Sequence, residues 1–183
     1  MSIYDDVDKL LLKPGTVGIM PTDTVYGLVC RAEDVTAVRR LYALKNRKNK
    51  PGTVIAASID QLVGLGIKYR YLKAVEQFWP GPVSVEIPHS KSYLNQNTLR
   101  QAFRTTNNRV LAQLLIKTGP LLTSSANLPD MPISDNIEQA RKYFGNRVDF
   151  YVDGGDFGDR LPSTIIRIVD DTIEVVREGA VKL

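Results

Sequence analysis

Apolar positions along this chain switch repeatedly between a helical and a strand period. Val7, Leu10 and Leu11, with Asp5 or Asp6 placed as a cap, predict a short amphipathic helix over residues 5–13, stopped by Pro14-Gly15. Residues 16–20, TVGIM, form a β-rich run and read as a central strand. The polar turn Pro21-Thr22-Asp23-Thr24 follows, and residues 25–30, VYGLVC, read as a second strand. Gly27 inside that strand suggests the close approach of a ligand or of another backbone. Val35, Val38, Leu41, Tyr42 and Leu44 keep helical spacing behind a capping Asp34. Further strands are expected at 53–57, 83–87, 101–105, 120–124 and 150–153. A hairpin is expected from 164–169 and 172–177, joined across Asp170-Asp171. Helices are expected at 59–65 behind Ser58, and at 71–78, 108–117 and 137–144. Residues 94–99 are ambiguous between the two periods. Strands alternating with helices, with no internal repeat and no linker, imply one α/β (α+β) domain over residues 1–183 with a mixed sheet.

Composition narrows this picture. With 183 residues, 43% of them apolar, the chain can build a full core without metal or disulfide. Lys and Arg number 24 against 20 Asp and Glu, an excess that permits contact with polyanions without demonstrating it. Cys30 is the only cysteine, which excludes an intrachain disulfide and suits a reducing compartment. Its apolar surroundings mark it as an inert core thiol. The first residues lack the pattern of a secretion signal, and no window has the length of a membrane span. A soluble, cytoplasmic protein without membrane contact is expected.

The basic run stands out in residues 41–51, LYALKNRKNKP, where a helical pattern ends in Lys45, Arg47, Lys48 and Lys50. Their spacing is too tight for one helical face, so they point in different directions. Such a cluster is either a solvated surface or an anion site. Neither standard phosphate loop is present, and the single histidine, His89, reads as a solvated loop residue. Three polar groups sit at strand ends: Thr22-Asp23-Thr24, Ser124-Ser125-Ala126-Asn127 and Pro162-Ser163-Thr164. They are either ligand donors where strands meet loops or local turns and caps.

Read in order, these motifs resemble the YrdC-like threonylcarbamoyl-adenylate synthases over nearly the whole chain. The blocks that carry the resemblance are Pro21-Thr22-Asp23-Thr24-Val25-Tyr26-Gly27-Leu28, Lys45-Asn46-Arg47, Trp79-Pro80-Gly81-Pro82, Arg104, Ser124-Ser125-Ala126-Asn127, Pro162-Ser163-Thr164-Ile165 and Arg177-Glu178-Gly179. The family signature is a KxR pair followed far downstream by SxN, here Lys45/Arg47 and Ser125/Asn127.

The resemblance implies a twisted, mostly parallel sheet flanked by helices around a basic cavity, in the short, single-domain form. It implies an enzyme that makes threonylcarbamoyl-AMP from L-threonine, bicarbonate or CO2, and ATP with Mg²⁺. Other proteins would then transfer the threonylcarbamoyl group to adenosine 37 of tRNA, with direct tRNA contact as an option. Lys45 and Arg47 are the implied catalytic cations. Lys50, Ser125, Asn127 and Arg177 would join them on ATP. Thr22, Thr24, Thr123 and Ser163 would line the threonine pocket, with Arg104 taking the carboxylate in bidentate fashion. No dedicated metal cage is visible, Asp23 being the nearest acidic candidate. The chain departs from the family pattern at Lys48, where proline is usual, and in a segment one residue short before Pro51. It also departs at Thr105-Thr106-Asn107-Asn108-Arg109 and at Leu128-Pro129-Asp130, and it lacks the histidine some members carry near residues 53–57. A divergent paralogue that binds RNA or another carbamoyl or nucleotide ligand, and a non-enzymatic scaffold, are the alternative readings.

Overall fold

The computed structural model describes residues 3–46, 48–170 and 172–183, so Arg47 and Asp171 of the hairpin turn lie outside the described residues. The strands are β1 (Gly18–Pro21), β2 (Tyr26–Arg31), β3 (Thr53–Ala56), β4 (Val83–Pro88), β5 (Arg100–Thr105), β6 (Leu121–Ser125), β7 (Phe150–Tyr151), β8 (Thr164–Val169) and β9 (Thr172–Arg177). They form one sheet in the order β7-β1-β2-β6-β3-β5-β4-β8-β9. The helices are α1 (Val7–Leu11), α2 (Val35–Lys45), α3 (Ile59–Gly64), α4 (Tyr69–Val75), α5 (Ser92–Asn95), α6 (Arg109–Thr118) and α7 (Ile137–Phe144).

The mixed α/β architecture agrees with the expectation, but the sheet is not mostly parallel. Among the described residues only β1/β7, β3/β5 and β4/β8 pair in parallel, and the other pairings are antiparallel. Short turns join β1 to β2 and β8 to β9, and a short turn can link only antiparallel neighbours. Nor is the first strand central. β1 lies beside the two-residue edge strand β7, and its complete burial comes from cover on both faces.

Residues opposite one another in register share a face of the sheet. Leu28, Cys30, Val54, Phe103, Val85 and Ile166 face the larger core, with Val38 and Leu41 of α2, Leu62 of α3, Leu72 of α4 and Phe144 of α7. On the other face Val29, Ile55 and Leu121 pack under Val7 and Leu11 of α1 and Leu111, Leu114 and Leu115 of α6. These two helices cover only half of that face. The other half, toward Gly27, Thr53 and Thr123, opens into a cavity.

Local chemistry explains most boundaries. Asp34 caps α2 by accepting from the Ala37 amide at 2.9 Å, and α2 ends where Asn46 turns left-handed at φ 45°. Asn108 caps α6 by accepting from the Val110 and Leu111 amides. The Thr105–Arg109 departure thus starts a helix. The expected cap on α1 is not made, because Asp6 is itself left-handed at φ 64° and its carboxylate pairs with Lys9 instead. His89 also departs from expectation. It is 6% exposed, stands edge-on to Phe103, and its Nε2 has no hydrogen-bond partner among the described residues. Burial, and then Lys91, pull its pKa below the ordinary histidine value. Cys30 is fully buried, as expected, and burial pushes its thiol pKa up.

Candidate active site

The cavity encloses about 520 Å³ and is lined from seven strands and their adjoining loops. A second cleft of about 380 Å³ adjoins it and shares Lys50 and Ser125 as a common wall. Both lie in the size range of small-ligand sites. All the polar strand-end groups singled out in the sequence meet here.

The β1–β2 turn supplies Thr22 and Thr24, both buried. Thr22 Oγ1 donates to the Val25 carbonyl at 2.7 Å and accepts from the Thr24 amide at 3.2 Å, so this is a hydroxyl-stapled turn. The two residues nevertheless line the cavity as well. Gly27 follows because a Cβ there would stand 2.5 Å from Thr123 Oγ1. The close approach it permits is with the Thr123 side chain, and both residues line the cavity wall.

Arg104 is 3% exposed at the side chain and lines the same cavity, but not with a free fork. Its Nε and Nη2 donate to the two carboxylate oxygens of Asp23 at 3.0 and 2.6 Å. The bidentate edge expected to take a ligand carboxylate is therefore occupied. The same pairing removes Asp23 as a candidate for metal. Among the described residues no group of three or more His, Cys, Asp or Glu could hold a metal ion, and Glu86, on the cavity wall, is tied to Arg167. The side chains present do not form a cage for Mg²⁺.

Lys45 occupies the last turn of α2 and is 2% exposed. Its ammonium donates to the Ser125 carbonyl at 2.7 Å, the Asn127 carbonyl at 2.5 Å and Asn127 Oδ1 at 2.8 Å. Ser125 Oγ donates to the same Oδ1 at 2.7 Å, and Asn127 Nδ2 donates to the Met131 carbonyl at 2.7 Å. One lysine thus ties the first half of the signature to the second, and all three residues line the smaller cleft with Lys48 and Lys50. Lys48 and Lys50 are exposed. The segment that carries Lys50 is itself fixed: the Lys50 amide donates to Gln96 Oε1, the Gly52 amide to the Tyr42 hydroxyl, and the Gly52 carbonyl accepts from Gln101 Nε2.

At the far wall, Ser163 is buried and its hydroxyl accepts from Ser84 Oγ at 2.8 Å. Arg177 Nη2 donates to the Ser163 carbonyl at 2.5 Å. Arg177, grouped by sequence with the nucleotide set, therefore stands in the larger cavity beside residues of the threonine set. Gly179 lets the chain cross over Pro162 and Ser163, whose backbone a Cβ would strike, and the Ala180 amide donates to the Pro162 carbonyl at 2.9 Å. Sequence reasoning missed Ser84, Glu86 and the Asp23–Arg104 pair. A signal for the first two existed, since they are the polar phase of VSVEI.

A cation-bearing, hydroxyl-lined cavity on the uncovered half of a mixed sheet, with no glycine-rich phosphate loop, is what defines this α/β protein. The chain belongs to the Sua5/YciO/YrdC family, described as telomere recombination, whose model matches residues 10–179. It is 33% identical over 180 residues to a Mycobacterium leprae protein, covering 94% of this chain and 81% of that one. It is 32% identical over 180 residues to the threonylcarbamoyl-AMP synthase of Pseudomonas syringae pv. syringae, covering 92% and 93%. Among solved structures it resembles P. abyssi Sua5 complexed with L-threonine, with a TM-score of 0.82 and 26% identity. That match covers 97% of this chain and 54% of the other, so the chain spans about half of that protein. No described helix is long and apolar enough to cross a membrane.

Proposed function

We propose that this chain is an L-threonylcarbamoyladenylate synthase, a nucleotidyltransferase that consumes L-threonine, bicarbonate or CO2, and ATP and releases pyrophosphate. The observation that carries the reading is the Lys45 ammonium bonded to Ser125 and Asn127, which joins KxR to SxN at one cleft beside the hydroxyl-lined cavity. In the proposed reaction the threonine amine adds to the carbon of CO2 and loses a proton, giving a carbamate. A carbamate oxygen then forms a bond to the α-phosphorus, and the bond from that phosphorus to the bridging oxygen of pyrophosphate breaks. Negative charge grows on the phosphoryl oxygens and on the leaving group, so fixed cations are the main catalytic need.

In this reading ATP takes the smaller cleft, with Ser125 and Asn127 on the nucleotide. Lys50 lines both lobes and faces the phosphates. Arg47 joins it on the strength of the signature alone. Lys45 works chiefly by holding the strand end that carries Ser125 and Asn127. Threonine takes the larger cavity among Thr22, Thr24, Thr123, Ser163 and Arg104, with Arg177 at its wall. Mg²⁺ arrives with the triphosphate. The product would pass to threonylcarbamoyl-transfer proteins acting on tRNA in the cytoplasm, and direct RNA binding by this chain remains a separate proposal. The test is to incubate purified protein with ATP, threonine and bicarbonate and to detect threonylcarbamoyl adenylate by mass. Pyrophosphate release requiring threonine and bicarbonate together is the expected result, and release independent of either overturns the reading.

A further inference from the structure

We propose that Asp23 is a positioning and specificity residue of the amino-acid pocket: by neutralising one edge of Arg104 it makes the cavity floor select a zwitterion over a plain anion. The inference rests on the function proposed above. Asp23 and Arg104 are 2% and 3% exposed at their side chains, so neither charge is screened by water. Asp23 takes Nε and one direction of Nη2, and Thr24 Oγ1 lies 3.4 Å from Nη2. Nη1 is left with a single long contact, 3.5 Å to Ser84 Oγ, next to the Ser84–Ser163 hydroxyl pair. A substrate carboxylate would then be received end-on by Nη1 with the Ser163 hydroxyl.

The charge balance has a consequence for selectivity. With Asp23 in place the Arg104 guanidinium adds no net charge to the floor, which leaves Lys50 and Arg177 as the cations at the cavity wall, and an amino acid, neutral overall, enters without adding net charge to a buried site. A phosphate at Arg104 would be opposed by the Asp23 charge beside it, and that opposition is strong in a low-dielectric site. The phosphates are left to the smaller cleft, which Lys45, Lys48 and Lys50 line. Removing the Asp23 charge would leave Arg104 as a buried, half-satisfied cation, which attracts any anion.

The experiment compares wild type, Asp23→Asn, Arg104→Met and the double variant in threonine-dependent pyrophosphate release, with inorganic phosphate as the competing anion. Asp23→Asn should raise the threonine KM by about tenfold, the scale of one charge-assisted hydrogen bond, with the ATP KM changed by less than about twofold. It should also make phosphate competitive with threonine, a competition expected to be absent in wild type. In the Arg104→Met background Asp23→Asn should add nothing, since Asp23 acts through Arg104. A parallel rise of both KM values, phosphate that stays non-competitive with threonine, or full additivity in the double variant overturns the proposal. If Asp23→Asn alone fails to fold, Arg104→Met and the double variant, in which no buried cation is left unpaired, still decide it by their difference. A wild type that releases pyrophosphate without threonine sinks the underlying function instead.

Discussion

Replacing Lys45 by methionine keeps the length and bulk of the side chain and removes only its ammonium. Three oxygens lose their charged donor: the Ser125 and Asn127 carbonyls and Asn127 Oδ1. Hydrogen bonds to a charged group contribute roughly 1.5–3 kcal/mol each, but these three share one donor and are not additive. Part of the loss is also offset, because the variant no longer buries a cation. The net cost is on the order of 2–4 kcal/mol, which for a chain of this size lowers Tm by about 4–16 °C. Urea unfolding at pH 7 measures it as a lower midpoint with an unchanged slope. Lys48→Ala is the control, since Lys48 is exposed and should stay within about 0.5 kcal/mol of wild type. A Lys45→Met protein that unfolds like wild type would refute the argument, and its ammonium would then be a ligand group rather than a brace. Loss of pyrophosphate release without loss of stability would point the same way.

Gly179→Ala places a methyl against the backbone of Pro162 and Ser163, which cannot rotate away as a side chain could. It should cost about 1–3 kcal/mol in denaturant unfolding and raise the threonine KM through the displaced Ser163 and Arg177; an unchanged midpoint would reject the crossing argument. His89 gives a pH test. Its folded pKa lies below the ordinary value of 6.5, so the folded state favours the neutral ring. Its contribution is fully present above about pH 6.5 and is lost as pH falls through the folded pKa, because the unfolded chain binds the proton more readily. His89→Phe should flatten the urea midpoint over that acid range relative to wild type, and an identical slope in both proteins would remove His89 as the cause.

The helices and strands were legible where pattern and cap agreed. Residues 137–144 have the predicted bounds because Asn136 caps them and the apolar stripe is regular. Asp34 and Ser58 likewise begin the helices expected of them. Asp6 failed as a cap because its own backbone turned left-handed, which no side-chain pattern announces. His89 failed because a histidine in a polar stretch carries no sign that Phe103, from the next strand along the chain, will cover it. For the candidate site, the residue types that line the cavity could be named from motifs, but their pairings could not. The Asp23–Arg104 bond spans 81 positions and the Lys45–Ser125 bond 80, and only the sheet order brings such residues together.

That order also explains why the polar groups come from both ends of strands. The rule that ligands sit at the carboxyl ends of strands belongs to parallel sheets. Here β2 and β6 run antiparallel with Gly27 opposite Ser125, so the start of one strand and the end of the other reach the same rim. The antiparallel β8/β9 pair does the same with Ile165 and Arg177, and the parallel β4/β8 pair adds Ser84 beside Ile165. A mostly parallel sheet would have sent the Thr22–Gly27 turn and the Ser125–Asn127 turn to opposite rims. The mixed pairing, which sequence reasoning misjudged, is therefore what closes the signature into one cavity. A β-hairpin is enough to carry Arg177 back to it, and the half-face left bare by α1 and α6 is where it opens.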